Sequence, residues 1–346
     1  MTELTYCEAI NKALHIEMEA DPNVFVYGIG VPDKVKIFGS TAGLLERFGD
    51  KRCFDTPLSE DAMTGLALGA AVSGLRPVHI HIRVDFLLLA LNQLINMISS
   101  FTYGSGGVIP VPLVIRAIIG RGWGQGYQHS KSLISYFTHI PGLVVIAPSS
   151  PSDALGLLRA SIQSNSPVIF LEHRWLYWAK EKIHDEHPVV EIGRGKVVRK
   201  GLDITIVAIS WMVVESIQAA NLLCKVGIDV EIIDPRTLRP LDVDLILRSV
   251  SKTKRLLVAD CDWINSGFSS EILSVVSENL LGEMIAPPIR VGFSDAPCPT
   301  VRVLEDEFYP NAGKIVNLVE NMFCKKITNF DGVKFYSHEN KFKGPF

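Results

Sequence analysis

The chain has 346 residues, 47% of them hydrophobic and 27 of them glycine, which is enough to bury a substantial core and, by length, to make two domains. Its 34 basic and 37 acidic residues leave a formal charge of −3, which argues against a nucleic-acid partner. The six cysteines (Cys7, Cys53, Cys224, Cys261, Cys298, Cys324) form no CxxC pair, so neither a zinc site nor a disulfide framework is expected and a reducing compartment fits best.

Residues 1–6 carry neither the basic nor the apolar region of a signal peptide, and no apolar run approaches membrane-spanning length, so the expectation is a soluble, cytoplasmic protein without a membrane partner. Residues 5–20 place Ala9, Ile10, Ala13, Leu14, Ile16 and Met18 at near-helical spacing, and Asp21-Pro22 stops that helix. A short apolar run, 24–28, ends in Gly28 and reads as a buried strand opening into a ligand-facing loop. Residues 77–82, 111–116, 143–148 and 168–171 read as further strands, with helices over 86–99 and 152–164 between them. The order is β and α in alternation, which predicts an α/β fold. From His173 to Glu191 the pattern breaks into charged and aromatic residues, expected as a linker. A second series follows, with strands at 204–209, 230–233, 256–259 and 289–291 and helices at 216–226 and 241–250, which fits a smaller doubly wound sheet. Residues 325–346 are basic and without period, and read as an extended tail.

Several stretches invite a chemical reading. In Asp55-Thr56-Pro57-Leu58-Ser59-Glu60, Pro57 disfavours helix at Thr56 and Ser59 is a good N-cap, so Glu60 sits near a helix start. The Gly- and Ala-rich run 64–74 behind it reads as a buried helix that lets another backbone approach closely. Glu60 and Asp61 are on this evidence first-turn acids that complement the helix dipole, or functional carboxylates. His79 and His81 alternate on a strand; a metal pair has no third ligand at a recognisable spacing, and ordinary core or cleft histidines are the stronger reading. His129 follows a glycine-rich loop, 120–126, of the kind that places an acid/base group over a substrate. That loop is neither a P-loop nor a dinucleotide fingerprint. The cluster Glu172-His173-Arg174-Trp175, just after a strand, reads as an interface. No Gly-x-Ser-x-Gly elbow supports a hydrolase.

In this order the chain resembles the β subunit of the thiamine-diphosphate-dependent 2-oxoacid dehydrogenases, the pyruvate, branched-chain and acetoin dehydrogenase group. The segments that carry the resemblance are GDKRCFDTPLSE, ALGAAVSGLRPV, ALNQLIN, IPVPLVIR, QHSKSL, HIPGLVVIAPSSPSDALGLL, NSPVIFLEH and IIDPRTLRPLD, within residues 5–322. It implies two doubly wound sheets, a pyrimidine-binding domain over 1–185 followed by a transketolase C-terminal-like domain over 190–324, with the tail at 325–346.

The resemblance also implies roles. Glu60 matches the family's catalytic glutamate, which bonds the aminopyrimidine ring nitrogen of thiamine diphosphate and favours the imino tautomer, whose exocyclic nitrogen removes the thiazolium proton. Phe86 matches the aromatic that stacks on the pyrimidine, Leu58 and Ile82 match positions lining that ring, and His129 matches a histidine near the reaction centre and the incoming lipoyl group. The family holds the pyrophosphate and its Mg2+ with a Gly-Asp-Gly…Asn motif on an α subunit, and this chain has no such motif. The implied assembly is therefore α2β2, serving a lipoyl acyltransferase core and a 2-oxo acid substrate. A monovalent-cation (K+) site, built mostly from backbone carbonyls, is implied near Leu113, Ser161, Ile162, Ser164 and Ser166, with Ser164 where a side-chain acid is common.

Departures accompany the match. The strand commonly reading Glu-Phe-Met-x-Phe-x-Phe is Ile80-His81-Ile82-Arg83-Val84-Asp85-Phe86 here. Paired glycines of the second domain are Ser266-Gly267, and Arg121, Trp123 and Gln125 mark the loop before His129. Two alternatives stand beside decarboxylation with lipoyl acylation: a split transketolase-like or acyl-transferring enzyme with another acceptor, and a non-catalytic interaction subunit.

Overall fold

The computed structural model of the protein describes residues 1–120 and 125–325. Arg121 and Trp123 of the glycine-rich loop and residues 326–346 of the expected tail lie outside the described residues. The chain divides into two compact units. The first gathers Met1–Gly120, Tyr136–Ile192 and Leu238–Pro240; the second gathers residues 125–135, Gly193–Thr237 and 241–325 of the described chain.

In the first unit the helix Tyr6–Ala20 begins with a capping box: Thr5 Oγ1 accepts from Glu8 N–H at 3.2 Å, and Glu8 accepts from Thr5 N–H at 2.8 Å. Seven strands form the sheet, in the order Thr237–Arg239, Val144–Ile146, Val168–His173, Val114–Ile119, Arg76–His81, Val24–Tyr27, Cys53–Phe54. The pairs from Val144–Ile146 through Cys53–Phe54 are all parallel, and the central strands are buried throughout, as a sheet covered on both faces requires. Register aligns Tyr27 with Phe54 on one side and His79 on the other. Those three rings therefore share a face, and Tyr27 stacks on both neighbours at centroid distances of 5.4 and 4.5 Å.

Three expectations for this unit are corrected. The helix expected over 86–99 is broken into Val84–Leu87, a 3-10 turn Leu88–Ala90, a π-helical segment Gln93–Ile98, and Ser99–Gly104. The expected linker 173–191 carries a 3-10 turn, Arg174–Trp178, and a strand, Lys180–Ile183, that pairs antiparallel with Thr2–Thr5. The cluster Glu172 to Trp175 is core, not interface: all four residues are buried. Glu172 accepts from Arg116 Nε at 2.5 Å, from Arg116 Nη2 at 2.9 Å and from Tyr177 Oη at 2.6 Å, while Arg116 Nη2 also donates to Ser40 Oγ at 3.0 Å. A buried guanidinium and carboxylate survive only when paired in this way.

The second unit has a five-stranded sheet in the order Ile289–Phe293, Leu256–Trp263, Ile204–Ala208, Val230–Asp234, Lys196–Arg199, parallel except for the last pair. Helices Met212–Cys224 and Val243–Thr253 match the expected pair, and Phe268–Leu280, Arg302–Phe308 and Ala312–Phe323 add to them. Among the described residues no single helix is long and apolar enough to cross a membrane.

Asp260 and Asp262 are buried side by side on the Leu256–Trp263 strand. Burial raises the Asp260 carboxyl to about 6, against hydrogen bonds from Ser269 and Cys261 that lower it. Burial and then the neighbouring Asp260 raise Asp262 to about 7. Two carboxyls this close titrate as a pair. Because both folded values lie above the unfolded one, the folded state binds more protons, and the pair's stabilisation, complete at acid pH, is lost as pH rises through 6 to 7. Thermal unfolding of this unit is expected to shift to lower temperature between pH 5 and pH 8. Asp260→Asn keeps the acceptor for Ser269 N–H and removes the charge facing Asp262, so it should flatten that slope; an unchanged slope would show that the pair does not set it.

Candidate active site

Glu60 opens the helix Glu60–Val72, with Ser59 at the N-cap position as the sequence predicts, although the Ser59 side chain makes no capping hydrogen bond. The helix buries only Thr64, Ala67, Leu68 and Ala71, so within this chain the expected buried helix is half-covered. Within this chain Gly65 makes room for a side chain, and nothing lies within 4 Å of the space beside Gly69. A Cβ on Gly65 would lie 3.3 Å from Gln93 Oε1, and Gln93 Nε2 donates to both Asp61 carboxylate oxygens at 3.1 and 3.2 Å. Asp61 is thus held by the π-helical segment, while Glu60, with no side-chain hydrogen bond among the described residues, lines the cleft.

That cleft is lined by Ile29, Met63, Ile82 and Phe86, with Glu60 and two histidines among its polar walls. Thr56 and Pro57, from the turn before the helix, complete one side. Neighbouring contacts fix the walls. Asp55 Oδ1 accepts from Gly30 N–H at 2.9 Å and Thr56 N–H at 2.8 Å, which ties the loop after the Val24–Tyr27 strand to the turn before Glu60. Tyr27 Oη donates to Met63 O at 2.7 Å, fastening the helix start to the sheet. Gly28, at φ +149°, is where two backbones meet: a Cβ there would lie 2.3 Å from Ile80 O.

His79 and His81 are both buried, with ring centroids 4.3 Å apart. His79 stacks on Tyr27, and its Nδ1 lies 3.4 Å from Thr64 Oγ1. Burial, and then the neighbouring His81, hold the His79 imidazole well below its usual range, and burial takes His81 down to about 3. Both are neutral at physiological pH. His81 Nε2 is buried without a hydrogen-bond partner among the described residues, so a ligand in the cleft finds a polar atom in want of one. Among the described residues no three His, Cys, Asp or Glu side chains come together in a metal-ligating group, and both histidines line the cleft.

Of the residues singled out in the sequence, Glu60, Ile82 and Phe86 are brought together on this cleft. Leu58 sits in the same turn, but its side chain is 83% exposed and does not line the cleft. His129 belongs to the second unit and follows the 3-10 turn Gly126–Gln128. Ile29, Thr56, Pro57 and Met63 were not singled out: each is an ordinary residue whose role comes from position alone, although Thr56 and Pro57 lie inside the motif that ends at Glu60.

Two predominantly parallel sheets, the first with a carboxylate in its cleft, agree with a transketolase-type domain pair. Residues 2–179 match the model of the transketolase pyrimidine-binding domain, and residues 193–315 match that of the transketolase C-terminal domain. The chain belongs to the β-subunit family of the thiamine-diphosphate-dependent 2-oxoacid dehydrogenases. It is 40% identical over 320 residues to the pyruvate dehydrogenase E1 component subunit beta-2, chloroplastic, of Arabidopsis thaliana, covering 92% of this chain and 79% of that protein. It is 39% identical to the acetoin:2,6-dichlorophenolindophenol oxidoreductase subunit beta of Cupriavidus necator, covering 89% of this chain and 94% of that one. The mitochondrial pyruvate dehydrogenase E1 component subunit beta of Mus musculus is 36% identical, with 92% and 90% covered. Among solved structures, a split-gene transketolase described as an inactive beta4 tetramer superposes with a TM-score of 0.75 at 22% identity, over 93% of this chain and 99% of that one, which speaks for the fold.

Proposed function

We propose that this chain is the catalytic-glutamate half of a 2-oxo acid decarboxylating enzyme, completed by an α subunit in an α2β2 assembly. The observation that carries the reading is the cleft in which Glu60, Ile82 and Phe86 converge. Its walls suit an aminopyrimidine: a carboxylate at a helix start, an aromatic and aliphatic side chains, and one buried imidazole nitrogen lacking a partner. Thiamine diphosphate, held at its pyrimidine by Glu60, Ile82 and Phe86, would supply the carbanion-stabilising chemistry that decarboxylation of a 2-oxo acid needs. Glu60, half-buried at the helix start, would exchange a proton with the ring nitrogen. Phe86 and Ile82, which line the cleft, would pack against the ring and keep water from it. By the family match His129 would serve the acyl acceptor, here proposed to be a lipoyl group on an acyltransferase core in the cytoplasm. The sequence has no Gly-Asp-Gly…Asn motif for the pyrophosphate and Mg2+, which the proposal assigns to the α subunit.

Reconstitution with the α subunit tests the reading. The complex, with Mg2+, is expected to bind thiamine diphosphate and to acylate a lipoyl domain from a 2-oxo acid. Sugar-phosphate turnover in place of lipoyl acylation would move the assignment to a split transketolase, and a complex that binds no cofactor would make the chain an interaction subunit.

A further inference from the structure

The helix Pro151–Gln163 ends with no basic residue in its last turn, so its closing carbonyls, at the negative end of the helix dipole, need donors or a cation from elsewhere. Arg76, the first residue of the Arg76–His81 strand, supplies them. Its Nη1 donates to Ile162 O and to Ser164 O, each at 2.9 Å, and its Nη2 donates to Asn165 Oδ1 at 3.0 Å. The residue is fixed from behind: its backbone N–H donates to Asn23 O at 3.0 Å, and its Nε lies 3.5 Å from Asp21 Oδ2.

Ile162 is one of the positions that the family resemblance assigns to a monovalent cation, and Ser164 stands where that site commonly has a side-chain acid. Two others are engaged as well: Leu113 O accepts from Val168 N–H at 2.8 Å, and Ser161 O accepts from Ser164 N–H at 3.2 Å. Ser164, standing where an acid is common, brings no negative charge, and its Oγ accepts from Ser166 N–H at 3.1 Å within the loop. A K+ on the Ile162 and Ser164 carbonyls would share two oxygens with a guanidinium nitrogen and face its positive charge with no carboxylate on the loop to offset it. These residues do not fit a bound monovalent cation.

We propose that Arg76 is the built-in cation of this protein. Its guanidinium gathers the carbonyls of the helix end and the following loop, the work expected of a bound ion, and the loop takes up no K+. The family reading enters only in naming the ion that is replaced; the test reads stability and ion binding, so a failure of the cofactor assignment would leave the outcome here intact.

Thermal unfolding of the full-length chain, and of its complex with the α subunit, is measured in KCl against choline chloride at constant ionic strength. The unaltered chain is expected to show a K+-specific shift of less than about 1 °C, as for a protein whose folded state binds no ion. Arg76→Gln is expected to lose about 2–5 °C in choline and to regain part of it in K+, because the carbonyls are then free to ligate. Tl+ binding followed by 205Tl NMR serves as a second readout, with none expected for the unaltered chain; should Arg76→Gln not fold, Arg76→Lys, which keeps the charge but not the fork, takes its place. Tl+ binding or K+ stabilisation in the unaltered chain overturns the proposal. So does a substituted chain that loses nothing, or one that fails to recover in K+.

Discussion

Replacing Glu60 with glutamine is expected to cut turnover by the reconstituted complex about 10²- to 10⁴-fold while thiamine diphosphate still binds. The change keeps the side chain's size and its ability to hydrogen-bond, and removes the capacity to exchange a proton. Glu60 is suited to that exchange by its place: first residue of the Glu60–Val72 helix, on the cleft, with Asp61 beside it held by Gln93 and so unable to substitute. Steady-state kinetics on the complex, with cofactor binding measured separately, distinguishes lost chemistry from lost binding. Unimpaired turnover would remove Glu60 from the mechanism.

Truncating Arg116 to alanine is expected to destabilise the first unit by about 3–5 kcal/mol, the cost of leaving a buried carboxylate without its cation. Glu172 is fully buried and its two oxygens are met by Arg116 and Tyr177, so no water is at hand to replace the guanidinium. Removing both charges, in Arg116→Ala with Glu172→Ala, should cost less than the sum of the single changes because neither charge is then stranded. Urea unfolding of the three variants measures this coupling. Additive losses would mean that the pair is solvated and not the sealed contact described above.

The two predictions also mark what the sequence discloses. Glu60 lies in a local motif: a proline, an N-cap and a helix start fall within six residues, and the chain-order match of motifs gives the acid its role. The alternating strands and helices are legible for the same reason, since apolar runs and caps are local signals. Arg116 and Glu172 are another matter. They are 56 residues apart, and each alone reads as a surface charge, so the cluster Glu172 to Trp175 suggests an interface until the strand register brings the partner in. Leu58 shows the converse limit, as a position matched by family whose side chain in the single chain faces out. The broken helix after Phe86 is likewise invisible to periodicity, because its π-helical segment keeps apolar residues on a nearly continuous stripe. The helices Phe268–Leu280 and Ala312–Phe323 are not legible from periodicity, because one interleaves serines with its apolar positions and the other follows a stretch rich in proline and acids.

The strand Thr237–Arg239 comes from far along the chain, yet it forms the edge of the first sheet, and Arg239 Nη1 donates to Thr138 O at 2.7 Å. A gene cut between codons 192 and 193 would therefore divide the sequence at a domain boundary and the architecture across a seam. The amino-terminal fragment would present the bare flank of Val144–Ile146 to any passing chain, an invitation to aggregate. Shuffling of these two modules between relatives must carry that short strand along, so the unit of inheritance is the whole tandem.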